Sequence, residues 1–340
     1  MKSWRISCTR QKTESKPFLI LILLVLAAAL LSICFGAVWI EPGTVLRILS
    51  GRDRFTVEAN IILLTRLPRT CGCLLAGMAL AVAGAVIQCV LSNPLAAPNI
   101  IGVNAGAGMA VILCTALAPT ALAALPFAAF AGALLAVFTV LAIAEKTGAS
   151  KMTLVLSGVA VSSIFSAVTD AVITFVPEAL NGYSDFRIGG FANLTFTKLS
   201  PAFWVILSAF LLVLSLSNEL DVLMLGRDTA QSLGLRAKPL RLILLALSAA
   251  LAGAAVSFSG MLGFVGLIVP HIMRKAVGEN SFPLLCSCAL GGAALVTFCD
   301  LLARVLFSPY ELPVGIVLSL LGGPFFIVLL LRQRKGRIHD

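Results

Sequence analysis

Charge is scarce in this sequence. Acidic and basic residues together make up 12% of its 340 positions, against about 25% in a soluble domain. So few charges cannot cover the surface of a 35.5 kDa globule. Histidine is scarcer still, with only His271 and His339, far apart in the chain. No histidine lies near the cysteines at ligand spacing, so a zinc site has no support. The nine cysteines sit mostly inside apolar runs and read as small apolar filler. Also missing are H-E-x-x-H, G-x-S-x-G and G-x-x-x-x-G-K-[ST]. A membrane enzyme therefore lacks its catalytic cluster, and the chain lacks the phosphate-binding loop with which it would hydrolyse ATP itself. No catalytic residue, bound cofactor or metal is expected.

What the sequence has instead is apolar length. Hydrophobic residues are 59% of the chain, and mean hydropathy is +1.05. That excludes disorder. The runs are long and continuous rather than alternating with period two, which disfavours a β-barrel. An all-α, polytopic membrane protein remains. A crossing needs about 20 apolar residues, and ten candidate spans appear, near 17–39, 65–90, 99–118, 123–144, 152–175, 200–218, 240–260, 264–278, 283–307 and 312–331. The eighth is short and contains Pro270, so a broken or kinked helix is expected there. The first run is too long for a signal peptide and reads as a retained span entered from the cytoplasm. One membrane domain is expected over 17–331, with a cytoplasmic segment at 1–16 and a cytoplasmic tail at 332–340.

The net charge of +10 would suggest nucleic acid in a soluble protein. Ten spans put both termini on one side, and that side then holds 17 of the 25 basic residues. The asymmetry supports cytoplasmic termini and removes the nucleic-acid reading. Eight basic residues fall outside, five of them between Arg47 and Arg69. The outer segments near 40–64 and 176–199 are long enough for short surface helices. Residues 66–175 and 241–331 each contain about four spans, starting from opposite sides, which points to an inverted repeat of the kind common in transporters.

Ionisable groups within spans are few. Asp170 lies in the outer half of the fifth span. Asp300 and Arg304 stand four apart on one helix face and can form an intramembrane ion pair. No chain of such groups crosses the membrane, so an ion-coupled secondary transporter is disfavoured. The longest inner loop, 219–239, places Leu220, Leu223 and Met224, then Ala230 and Leu233, at helical spacing, with Gly226 and Gly234 able to end short helices. It reads as two small amphipathic helices that dock a partner.

Three stretches carry a family resemblance. One is Arg66-Leu-Pro-Arg-Thr70 with Gly77 to Gly84, Gln88, Asn93 to Pro98 and Gly102 to Gly106. Another is Gly263 to Arg274, and the third is Asp300 to Arg304 followed by Glu311 to Gly315 and Gly322 to Phe325. In this order and spacing the chain resembles FecCD-type permease subunits of ATP-driven importers for iron–siderophore complexes, haem and cobalamin, over about residues 60–331. The resemblance implies a ten-helix, inverted-repeat permease in a bacterial cytoplasmic membrane. It implies a second permease subunit, identical or not, with the pathway between the two. Two cytoplasmic ATPase subunits that use ATP and an extracytoplasmic substrate-binding protein complete the assembly. It assigns binding-protein docking to Arg66, Arg69 and Arg304. It assigns ATPase coupling to Asp228, Thr229, Ala230 and Gly234, where Asp and Thr replace the family's usual Glu and Ala. An iron(III)–siderophore complex is the expected ligand, with cobalamin or haem as the alternative.

Overall fold

The computed structural model describes residues 15–36, 38–53, 55–147, 151–306 and 310–336. The basic residues Lys2, Arg5, Arg10, Lys12, Arg54 and Arg337 lie outside these, as does the side chain of Asp228. Helices dominate, and no strand occurs among the described residues. In chain order they are α1 (Ser15–Cys34), α2 (Pro42–Leu49), α3 (Val57–Asn60), α4 (Leu67–Leu91), α5 (Val103–Leu117), α6 (Leu125–Lys146), α7 (Lys151–Phe175) and α8 (Ala179–Ile188). There follow α9 (Phe196–Ser215), α10 (Ser217–Met224), α11 (Arg227–Ser232), α12 (Ala237–Ser259), α13 (Val265–Val277), α14 (Ser281–Val305) and α15 (Val314–Gly336). A π-helical stretch, Ile61–Arg66, leads into α4.

The ten apolar runs are α1, α4, α5, α6, α7, α9, α12, α13, α14 and α15. Seven helical segments among the described residues are long and apolar enough to cross a bilayer. Segments α5, the apolar part of α15, and α13 are shorter. At 1.5 Å per residue, the 13 residues of α13 reach about 20 Å, so its approach through the non-helical residues 260–264 covers part of the depth. The break expected at Pro270 therefore sits ahead of the helix, and α13 runs through the proline. Proline has no N–H for the carbonyl four residues back. That carbonyl belongs to Gly266, and the Gln88 side chain fills the gap, its Nε2 donating at 3.1 Å. The Arg274 guanidinium donates to Gln88 Oε1 and so fixes which way the amide points.

The centre of the bundle is α4. It packs against α14, α12 and α13. Close approach is possible because small residues meet: a Cβ on Gly77 would lie 2.1 Å from the Gly292 carbonyl oxygen, and one on Gly84 would lie 2.0 Å from that of Gly266. In lipid, where apolar side chains gain little by leaving one solvent for another, such contacts and dispersion hold helices together.

The halves repeat. α4 pairs with α14 and α12 pairs with α6. α5 and α13 both follow a break and begin after a residue with positive φ, Gly102 at 84° and Phe264 at 65°. We use "upper" for the end formed by the start of α4 and the finish of α14, and "lower" for the end carrying α10 and α11. The upper connections hold α2, α3 and α8; the lower one holds the two short helices its periodicity predicts.

Candidate functional site

At the upper end the three arginines come together, through contacts that sequence spacing only partly foretells. Arg69 leaves the first turn of α4 and clamps Asp300 of α14. Nε donates to both carboxylate oxygens at 3.1 and 3.0 Å, and Nη2 donates to Oδ1 at 2.9 Å. Its remaining nitrogen, Nη1, reaches Glu311 Oε2 at 2.7 Å. Asp300 also pairs with Arg304 at 3.1 Å, one turn along the same helix. Arg304 in turn donates to the Ser32 carbonyl at 3.2 Å and the Ser32 hydroxyl at 2.7 Å. Arg66 donates to the carbonyls of Ile33 and Cys34 at 2.7 and 2.8 Å and to that of Val38. The helix end of α1 is thus capped by two guanidiniums, which satisfy carbonyls that have no partner within their own helix.

Burial decides what these side chains offer. Arg66, Arg69 and Arg304 are 5%, 6% and 3% exposed, and Asp300 is fully buried. They are not free surface arginines. A buried carboxylate between two guanidiniums holds together because each charge is compensated. Glu311 is the half-exposed member, with 40% of its side chain accessible. Three cations face two carboxylates, so the cluster keeps one positive charge in excess. Glu311 and Ser32 belong to the site although sequence spacing does not single them out. Arg69 and Asp300 are 231 residues apart, and the i, i+4 rule finds only the Arg304 partner.

Beside Arg69 and Glu311 lies a cavity of about 280 Å³, walled by Asp185, Lys198, Phe258 and the backbone of 189–194. Its floor is a joint of three main chains. Gly190 N–H donates to the Ser259 carbonyl at 2.8 Å, Met261 N–H to that of Phe186 at 2.9 Å, and Gly315 N–H to that of Gly189 at 3.2 Å. This ties the finish of α8 to the turn between α12 and α13 and to the start of α15. A Cβ on Gly315 would sit 1.9 Å from the Ile188 oxygen, so the joint closes only around glycine. Nearby Tyr183 of α8 is buried, which pushes its hydroxyl above the ordinary range; Arg187 opposes this and Asp170 adds to it.

α7 presents a different surface. Ser163, Ser166, Asp170 and Thr174 are exposed on it at helical spacing, alongside Ala160, Ala167 and Ala171. The Ser163 and Thr174 hydroxyls turn back to carbonyls of their own helix at 2.9 and 2.8 Å. Met152, Leu156 and Val159 are exposed nearer the start of the same helix; an exposed carboxylate in a span is costly in hydrocarbon, so the part of this face around Asp170 belongs against water or protein rather than lipid.

At the lower end α10 buries Leu220 and Leu223, and α11 buries Ala230. Thr229 is exposed. Gly234 ends α11 at φ 81°, with Leu235 N–H bonded to the Ala230 carbonyl and Gly234 N–H to that of Gln231, both at 2.9 Å. This pairing is a Schellman stop, whose left-handed residue favours glycine. Nothing stands within 4 Å of where a Cβ on Gly234 would be. The glycine is there for backbone conformation and not for space. Among the described residues, no group of three or more His, Cys, Asp or Glu side chains is arranged to hold a metal.

The model of the FecCD transport family matches residues 22–332. The chain belongs to the FecCD transport family. It is 36% identical to the Fe(3+)-citrate import system permease protein YfmE of Bacillus subtilis, over 94% of this chain and 96% of that one. It is 39% identical to the achromobactin transport system permease protein CbrC of Dickeya dadantii, over 92% and 90% of the two chains. The vitamin B12 import system permease protein BtuC of Escherichia coli is 36% identical over 96% and 98%. A solved structure described as an inward-facing conformation of a metal-chelate type ABC transporter superposes with a TM-score of 0.82 at 32% identity, covering 93% of this chain and 99% of that one.

Proposed function

We propose that this chain is the permease subunit of an ATP-driven importer that carries an iron(III)–siderophore-type complex across the bacterial cytoplasmic membrane. The observation that carries this is end-to-end similarity, across nine-tenths of the chain, to import permeases named for iron(III) citrate and achromobactin. Permeases named for hemin and vitamin B12 match this chain as well as the first of these does, at 36% identity. Ion coupling is disfavoured: the buried Asp300 is neutralised by Arg69 and Arg304, and no relay of acids leads from it among the described residues.

In this reading the upper end faces outward and both termini are cytoplasmic. A second permease subunit lies against the polar face of α7, and the ligand passes between the two. The net positive cluster of Arg66, Arg69 and Arg304, buried and holding its own partners, attracts acidic groups of an extracytoplasmic binding protein through its field rather than by direct contact. Two ATPase subunits sit at the lower end against α10 and α11, with Asp228, Thr229, Ala230 and Gly234 in the contact. Closure of the ATPase dimer displaces these loops and rotates the helices.

Uptake of radiolabelled iron–siderophore, iron citrate, haem and cobalamin into proteoliposomes holding the full importer tests the assignment. Iron–chelate uptake that requires ATP and survives a protonophore is expected. Uptake of cobalamin or haem alone moves the ligand assignment, and collapse under the protonophore overturns the class. Gly234→Val, strained by about 1–2 kcal/mol in the left-handed region, is expected to lower uptake per ATP; full uptake would remove α11 from the coupling contact.

A further inference from the structure

α14 starts at the lower end with Ser281, and its first N–H groups have no partner inside the helix. Asn280 holds the cap position, yet its side chain makes no cap hydrogen bond. The Ser281 N–H donates instead to Asp221 Oδ1 at 2.9 Å. Asp221 lies in α10, sixty residues earlier in the chain. A carboxylate is a strong acceptor at a helix start, and its charge is favoured there by the helix dipole. So α10 supplies from outside the cap that α14 does not supply itself.

The surroundings make this cap a mechanical tie. Through Leu220 and Leu223, both buried, α10 packs on α14 and α4. α11 packs on α10 and on α12. α14 then runs for 25 residues without interruption to Asp300 and Arg304, which meet Arg69, while Arg69 meets Glu311 ahead of α15. A continuous hydrogen-bonded helix moves as a unit, so its two ends cannot be displaced independently.

We propose that Asp221 is a positioning residue for transport. It locks the α10–α11 loop to the lower end of α14, so that displacement of the loop is carried along α14 to the charged cluster at the upper end. This rests on the reading of that loop as the ATPase contact.

The test uses the reconstituted importer with its ATPase and binding protein, reading complex assembly, ATP hydrolysis, thermal stability and ligand uptake per ATP. For Asp221→Ala, assembly and hydrolysis are expected to persist while uptake per ATP falls about fivefold, the factor that corresponds to one lost cap. Asp221→Asn, which keeps an oxygen in place to accept from Ser281 N–H, is expected to recover most of it. The deciding variant is Asp221→Ala with Asn280→Asp, which returns a negative charge to the start of α14 without the tie to α10. Stability restored with uptake per ATP still low supports the proposal. Recovery of both overturns it, because the cap would then serve stability alone. Unchanged uptake per ATP in Asp221→Ala also overturns it. Failure of the ATPase to bind the wild-type chain is a separate result, which removes the reading of the loop and the inference with it.

Discussion

α4 and α7 are both 25-residue helices of apolar and small residues, and they live in different solvents. The segment containing α4 is 83% buried, and that of α7 is 28% buried. α4 is wrapped by α14, α12 and α13, with carbonyls in contact at Gly77 and Gly84 and a clamped carboxylate at Arg69. α7 turns hydroxyls, alanines and Asp170 outward. α1, more apolar than either, is as little buried as α7, so helix position here follows which backbones can approach rather than how apolar the helix is.

The hardest blow to that contrast is Asp300→Ala. It strips the buried partner from Arg69 and Arg304 together, and breaking such a pair costs about 3–5 kcal/mol. A large drop in thermal stability in detergent is expected; a stable variant would mean that α4 is not anchored by its arginine. Gly84→Ala comes next. Its new Cβ would meet the Gly266 backbone at 2.0 Å, and overpacking of this kind costs about 1–3 kcal/mol. The same thermal assay reads it, and an unchanged melting temperature would show that α4 and α13 can part freely. Glu311→Gln is milder, because a half-exposed ion pair is worth about 1 kcal/mol or less. Its expected effect is on partner capture: with Arg69 Nη1 less well occupied, an acidic binding protein should bind more tightly at physiological salt. Weaker capture would argue that Glu311 is itself the docking group. Smallest of all is Ser163→Ala on α7, expected to shift stability within about 0.5 kcal/mol, as exposed sites do. Ser166→Leu on the same face sharpens the contrast if stability holds while uptake falls. Lost stability would place that face in a packed core.

Much of this architecture can be read in the sequence because membrane helices announce themselves. Apolar length marks each helix, and the 3.6 periodicity of 219–239 marks α10 and α11. The cluster at the upper end was only half legible. Asp300 and Arg304 share a helix, so local spacing pairs them. Arg69 reaches the same carboxylate from 231 residues away, and Glu311 comes from a connection between helices; no local rule joins these. Pro270 shows the same limit in the other direction. A proline in an apolar run reads as a break or a kink, and here the helix is not broken: a glutamine from another helix takes up the orphaned carbonyl.

The joint beneath the upper cavity has a consequence for how such a protein diversifies. Its three ties, from Gly190, Met261 and Gly315, are all main chain to main chain. Exchanging most side chains around it leaves the bonded atoms in place, so the walls of the cavity are free to vary while the framework that holds α8, the α12–α13 turn and α15 in register stays the same. The exceptions are Gly189, Gly260 and Gly315, where a Cβ would lie 2.7, 2.5 and 1.9 Å from the carbonyl oxygens of Met261, Phe186 and Ile188. Variation should therefore be permissive around this node and intolerant within it, a pattern that a saturation scan of residues 186–194, 257–263 and 311–316 would display directly.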